Sequence, residues 1–474
     1  MKNRKEKLHK LYLIVGLLLT MMLSVGMPIF SSPDEYWHYS IATSEVGLPN
    51  DTSVYGNNPG NSFGIAGTEK YAYQTGRYYD AYFVTKVDVH PISAASFAIR
   101  GKGGEYPPIS SSQFWTHLLP GIGAWIGYHI YPSVGVMFVF GRLFASSILV
   151  IALSLIIKYL RRGKLLFMLI FLSPVALQQF ASFSYDGLSF LVAALIIATA
   201  INIADRMTFR WQDFLKIGIL TVVTYFGAKQ NFLELLLIFP VLFVGISVYK
   251  NREKTEELRK KRGYRYFARK NIIYLSLFAV VITVLMMFIL FAGSGGVITT
   301  LERYLTNFTY NLYPATSIDT MFVQTIPGVN NIPEWLTWVW FAALLVIGLS
   351  EEKFVRSQII SWGALIVVIF QVLAVYQGIT GYIWGRITPQ VQMEAIQGVQ
   401  GRYFTPVPAL LLLFAANNRF NLGVVSFVQK GSYKLTSKLK SYRTLMLSVI
   451  GLAVFSNILL IVDTLRTVTQ LPIN

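Results

Sequence analysis

The run LYLIVGLLLTMMLSVGMPIF (Leu11–Phe30), followed at once by SSPDEYWH (Ser31–His38), decides how the rest of the chain is read. The first part is uncharged and about as long as a helix must be to cross a bilayer. Lys2, Arg4, Lys5, Lys7 and Lys10 precede it, which predicts a cytoplasmic N-terminus. A cleaved signal peptide would have a shorter apolar stretch and a small-x-small site, and Val25-Gly26-Met27-Pro28 is a poor one. The second part sets two carboxylates and an imidazole where the chain leaves the membrane, so Asp34, Glu35 and His38 form the candidate catalytic group. The same residues also spell a helix start. Ser32 suits the cap, Pro33 the first helical position, and Asp34 and Glu35 the positive end of the helix dipole. Capping and catalysis do not exclude each other.

Of the 474 residues 54% are hydrophobic and only 14% charged, and the mean hydropathy is +0.51, so the chain reads as a polytopic membrane protein rather than a soluble one. Its net charge of +18 sits in short clusters between apolar runs, the pattern of cytoplasmic loops, and not on one soluble face that would bind nucleic acid. There is no cysteine, which excludes disulfides and thiolate metal sites.

Taken in order, the chain alternates apolar runs with loops of two kinds. Residues 31–132 form a long polar and aromatic outer loop, with an interfacial helix expected over Phe114–Tyr131, where Trp115, Trp125, Tyr128 and Tyr131 suit the headgroup zone. A second span covers about 133–160 and contains Arg142, whose guanidinium at membrane depth calls for a partner or a watery cavity. Residues 165–177 and 188–204 follow as spans joined by a polar outer turn that contains Tyr185 and Asp186. Spans over 214–228 and 232–248 flank Lys229-Gln230-Asn231, and a charge-neutralising Lys229–Glu234 contact is expected there. After the basic segment 250–270 come a span over 271–292, a second outer loop over 293–333, spans to about 349 and over 359–376, a third outer loop over 377–402, and spans from 403 and over 444–462.

The fold class expected is therefore an all-α polytopic membrane protein, one integral membrane domain over residues 1–474, with about 11 transmembrane helices and large extracytoplasmic loops. The runs at 165–177, 214–228 and from 403 are short enough to be re-entrant. Most of the 41 Lys and Arg residues fall in the segments assigned to the inside. That puts the protein in the cell membrane as a multi-pass protein, its N-terminus cytoplasmic and its C-terminus extracytoplasmic.

With this topology, residues far apart in sequence share the outer face. Asp34, Glu35 and His38 are joined there by Tyr106, Tyr185, Asp186, Lys229, Gln230, Gln400, Arg402 and Tyr403, with Arg142 inside the second span. Paired carboxylates can act as a general base or hold a divalent cation such as Mg²⁺ or Mn²⁺, and Arg and Lys can neutralise a phosphate leaving group. His38 shares a helix face with Glu35 and can orient a carboxylate or ligate a metal. Such equipment suits sugar transfer from a lipid phosphate.

S-P-D-E-x-x-H after the first span, Tyr106-Pro107-Pro108 before the second, Ser184-Tyr185-Asp186-Gly187 before the fourth and Gln400-Gly401-Arg402-Tyr403-Phe404 near the end occur in the order seen in a family of bacterial membrane proteins of unassigned function. That family resembles a branch of the GT-C glycosyltransferase superfamily. The resemblance implies a polyprenyl-phosphate-linked sugar as donor, a cell-envelope glycan or polymer as acceptor on the outer face, and an acidic pair in the first outer loop as base or metal site, here Asp34 and Glu35. Two other classes stay open. A polysaccharide polymerase or ligase would consume a lipid-linked oligosaccharide. A lipid-linked glycan carrier or flippase would need charges along the bundle interior and related halves, whereas mid-span charges are few and no repeat is evident.

Overall fold

The computed structural model describes residues 7–27, 32, 35–48, 112–132, 134–258, 296–299, 301–302, 305, 319–325, 332–384, 399–417 and 442–470. The expected span over 271–292, most of the first outer loop, and Asp34 and Tyr106 among the candidate residues lie outside these.

Helix α1 (Leu8–Gly26) buries a stripe of Leu8, Tyr12, Gly16, Leu19, Thr20 and Leu23, while Ile14, Leu18, Met21 and Val25 face outward. An apolar outward face is what a lipid-facing helix shows, because lipid gives no reason to hide apolar surface, while Gly16 and Thr20 on the inner face let a neighbour approach closely. It packs antiparallel to α4 (Val134–Tyr159). Ser154 donates to the His9 carbonyl at 2.8 Å near one end of the pair, and Arg142 to the Met27 carbonyl at 2.9 Å near the other. Since α1 ends level with Arg142, the first two turns of α4 extend beyond it.

Between them come α2 (Glu35–Glu45) and α3 (Ser112–Ile130), a helix that overlaps the one expected over 114–131. Helix α3 folds back along α4 as an antiparallel hairpin closed by glycines: a Cβ on Gly123 would stand 2.5 Å from the Phe140 carbonyl oxygen, and one on Gly121 2.5 Å from that of Ala42 in α2. Trp115, Trp125, Ile130 and Tyr131 remain exposed.

The expected span over 165–177 is instead two short helices, α5 (Lys164–Phe171) and α6 (Pro174–Phe180), of 8 and 7 residues. Neither is long enough to cross a bilayer alone, but in series they carry the chain from Arg162 at one end of the bundle to the 181–187 turn at the other. Ser173 breaks the run: it is extended, its hydroxyl accepts the Ala176 N–H at 3.3 Å, and Pro174 occupies the first position of the next helix. Both helices are enclosed by protein, and Phe167, Phe171 and Phe180 belong to the main core. Helix α7 (Asp186–Arg206) is also enclosed, with 16 of its 21 residues buried.

Around this centre stand α8 (Trp211–Gly227), α9 (Ile238–Leu258), α10 (Glu334–Ser350), α11 (Gln358–Trp384), the short α12 (Leu412–Ala415) and α13 (Tyr442–Gln470). A 3-10 helix of 8 residues, Gln230–Leu237, leads into α9, and two shorter 3-10 segments, Gly401–Phe404 and Val407–Leu411, lead into α12. The expected span from 403 is thus an irregular, largely buried segment packed inside the protein, where its backbone groups can be satisfied. Among the described residues, six helices are long and apolar enough to cross a membrane, and no strand forms. The count of 11 does not emerge from the described residues.

The bundle has two polar ends. At one, Arg161 and Arg162 pair with Asp205 at 3.1 and 2.9 Å, Arg162 also meets Glu352, Arg206 pairs with Asp213 at 2.6 Å, and Phe354 and Val355 donate to the Ala416 carbonyl at 3.1 Å. At the other end lie the starts of α2, α7 and the 3-10 helices at 230 and 401.

Candidate functional site

Two buried clusters occupy that second end, and one turn of chain, residues 181–187, belongs to both. The first centres on Glu35 at the start of α2. Arg142 grips its carboxylate with two hydrogen bonds, Nε to Oε1 at 3.0 Å and Nη2 to Oε2 at 2.7 Å. The Phe183 N–H adds a bond to Oε1 at 3.2 Å and the Ser32 N–H one to Oε2 at 3.1 Å. Each oxygen therefore accepts two donors, the capacity of a carboxylate. Both side chains are 1% exposed or less. Gly141 makes the contact feasible, since a Cβ there would lie 2.2 Å from Phe183 and hold the 181–187 turn away from α4. Phe138 lies 4.5 Å under the guanidinium, within a group of rings that includes Tyr39 and Phe183.

So occupied, Glu35 has no lone pair to offer a substrate proton or an ion. Arg142 is committed by Nε, Nη1 and Nη2 to Glu35 and Met27 rather than presented to a phosphate. The geometry corrects both expectations to positioning roles: the pair ties the end of α1, the start of α2, α4 and the 181–187 turn together. Mg²⁺ or Mn²⁺ held by the acidic pair would need Glu35 as a ligand, and its contacts do not fit that. Among the described residues no group of three His, Asp or Glu gathers as an ion site.

The second cluster centres on Asp186, the first residue of α7. Its Oδ2 lies 3.1 Å from Arg402 Nε and its Oδ1 3.5 Å from Lys229 Nζ. Lys229 therefore faces Asp186, not Glu234 as expected; Glu234 Oε2 has no hydrogen-bond partner among the described residues. The Lys229 ammonium also sits over the rings of Tyr403 at 3.8 Å and Tyr185 at 4.4 Å. Burial alone would lower its pKa, but Asp186, Tyr185 and Tyr403 hold it above the ordinary lysine value, so it is charged. Ser184 holds the Asp186 N–H at 3.0 Å, and Ser189 holds that of Lys229 at 2.9 Å. Thr320 accepts the Gly401 N–H at 2.7 Å, which brings the segment 319–325 against the Gly401–Phe404 turn.

His38, one turn along α2 from Glu35, completes the cluster. Its Nδ1 lies 2.7 Å from Nε2 of His117 on α3, and its ring stands edge-on to Tyr185 at 4.6 Å. Both imidazoles are buried. Burial, followed by His117, Arg402 and Lys229, holds the His38 pKa well below the ordinary histidine value.

The structure thus brings together His38, Tyr185, Asp186, Lys229, Arg402 and Tyr403, and sets Glu35 and Arg142 apart as their support. Gln400 contributes its carbonyl to the 401–404 turn, accepting the Tyr403 N–H at 3.1 Å, and Gln230 opens the 3-10 helix after Lys229. Sequence reasoning missed His117 and the Phe183 N–H. A signal for His117 existed, because it is one of only 5 histidines and lies in an aromatic segment of the outer loop. No side-chain pattern marks a backbone donor.

A family described as Predicted membrane protein (DUF2142) matches residues 17–411, a range that includes the S-P-D-E stretch, Asp186, Lys229 and Arg402. No curated protein and no solved structure matches the chain. With the match covering most of its length, this multi-pass membrane protein belongs to the DUF2142 family.

Proposed function

We propose that the protein is a membrane glycosyltransferase of GT-C type, moving a sugar from a polyprenyl-phosphate donor to a cell-envelope glycan on the outer face. The observation that carries this reading is the convergence of Lys229 and Arg402, 173 positions apart by their numbers, on one buried aromatic site that the S-P-D-E helix also enters. Two cations share the single carboxylate of Asp186, an arrangement suited to an anionic group. Tyr185 and Tyr403 supply flat faces of the kind that sugars and cations both pack against.

In this reading the phosphate lies between Lys229 and Arg402, whose charge stabilises the departing lipid phosphate. Asp34, which precedes Glu35 and maps onto the acidic pair of the resemblance, orients or deprotonates the acceptor hydroxyl that attacks the anomeric carbon. Glu35 and Arg142 hold the start of that helix in place.

The test is turnover of lipid-linked sugar in membranes carrying wild-type protein, Asp34→Asn or Lys229→Met at matched levels of folded protein. Loss of transfer in both variants supports the assignment. Unchanged turnover in Asp34→Asn removes the base role and leaves S-P-D-E as a helix cap.

A further inference from the structure

The His38–His117 contact is not needed to hold an anion, yet it buries two imidazoles beside the two cations. Their ring centres are 4.9 Å apart with planes 26° from parallel, and the close nitrogens are 2.7 Å apart, so the rings meet nearly edge to edge. One proton lies between them whichever ring donates. A second proton, on an outer nitrogen, would turn this bond into a charge-assisted one, which is stronger and suited to so short a separation.

The charges around the pair come from every element packed on it. Tyr185 stands edge-on, 4.6 Å from His38 and 6.3 Å from His117, with the Lys229 ammonium 4.4 Å over its ring. Asp186 follows Tyr185 at the start of α7, and Arg402 and Tyr403 come from the 401–404 turn. Thr116 Oγ1 lies 3.4 Å from His117 Nδ1 on α3, and on α2 itself Glu35 is neutralised by Arg142. Lys229 and Arg402 against Asp186 leave one net positive charge facing the imidazoles. Two of the forces that keep His38 neutral, Arg402 and Lys229, are the charges an incoming anion would cancel.

We infer that the site binds its anion together with a proton: a singly charged phosphodiester enters between Lys229 and Arg402, and the His38–His117 pair takes one proton from solvent. This rests on the anion-binding half of the function proposed above. Linkage makes the effect reciprocal, so the anion binds more tightly as pH falls through the range in which the bound pair is protonated and the free pair is not. In sugar transfer the phosphodiester becomes a phosphomonoester and gains negative charge. The captured proton gives the site a third positive charge to meet it.

The experiment is calorimetric titration of the purified full-length protein in detergent with dibutyl phosphate, a phosphodiester with no proton of its own to exchange near neutrality. It is run from about pH 5 to 8 in buffers of different ionisation enthalpy, to count protons. The expected result is uptake approaching one proton per anion toward the acid end, affinity rising by up to about tenfold per pH unit as pH falls, and a flat profile in His38→Asn and in His117→Gln. Binding to the wild type without proton uptake overturns the inference and leaves the anion site standing. Uptake that persists in both histidine variants also overturns it, by placing the proton on another group. Absence of binding at every pH overturns the anion site and the inference together. If one histidine variant fails to fold, the other decides: loss of uptake supports the pair, and retained uptake overturns it.

Discussion

Replacing Glu35 with Gln, or Arg142 with Met, leaves the other member charged and buried, a change that costs about 3–5 kcal/mol. Thermal unfolding in detergent is expected to show a large fall in midpoint for either. Lys229→Met should behave differently, because Asp186 keeps its contact with Arg402 at 3.1 Å. There we expect a folded protein whose affinity for a phosphodiester falls by about one to two orders of magnitude, the worth of a charged hydrogen bond of about 1.5–3 kcal/mol. Glu45, at the end of α2, makes a third case. Burial pushes its carboxyl up to about 9 from an ordinary 4.5, and neither oxygen has a hydrogen-bond partner among the described residues. A carboxyl raised by folding holds its proton longer in the folded state, so stability is lost as pH rises from about 4.5 toward 9. The unfolding midpoint of the wild type should decline over that window, and that of Glu45→Gln should decline less. Residue types were legible in the sequence here, but pairings were not. Asp186, Lys229 and Arg402 stand out as charges at the ends of apolar runs; that Lys229 turns to Asp186 rather than to Glu234, only five positions on, depends on the tertiary course of α7.

The seam between α3 and α4 depends on glycine. Gly123→Ala places a methyl against the Phe140 carbonyl, which cannot withdraw without moving α4, so a loss of about 1–3 kcal/mol is expected in thermal unfolding. Gly121→Ala acts on function through geometry: forcing α3 from Ala42 of α2 separates His117 from His38, and the pH dependence of anion binding should flatten. Helix positions with strong apolar runs were readable to within a few residues, as with α4, expected over 133–160 and found at Val134–Tyr159. The break at Ser173-Pro174 follows known cap chemistry, yet the apolar composition across it reads as continuous. The 3-10 segments at 230–237 and 401–411 left no such trace, because an apolar pattern does not distinguish repeats of three from repeats of four.

For the whole molecule, the absence of native cysteine makes sidedness directly measurable with single introduced thiols. We expect a cysteine at exposed Ile130, at the site end, to react with a membrane-impermeant maleimide on intact cells, and one at exposed Arg356, at the opposite end, only after permeabilisation. The reverse pattern would put the site in the cytoplasm and remove the outer-face acceptor. The number of crossings was less legible than their existence, because a membrane protein can carry its chain from one end to the other through an enclosed, broken segment, as α5 and α6 together do between Arg162 and the 181–187 turn. Asp186 opens a largely buried helix and is held between two cations, whereas Lys229 is carried on a stretch wound more tightly than its neighbours. Eight residues of 3-10 helix rise about 2.0 Å each against about 1.5 Å in an α-helix, a difference of about 4 Å over the stretch. Rewinding 230–237 as α-helix would draw the ammonium back by about its present 3.5 Å reach to Asp186. Such a shortening would also break the bond from the Lys229 N–H to Ser189 on the helix that carries Asp186, so the tight winding and that bond together hold the two charges at their present reach.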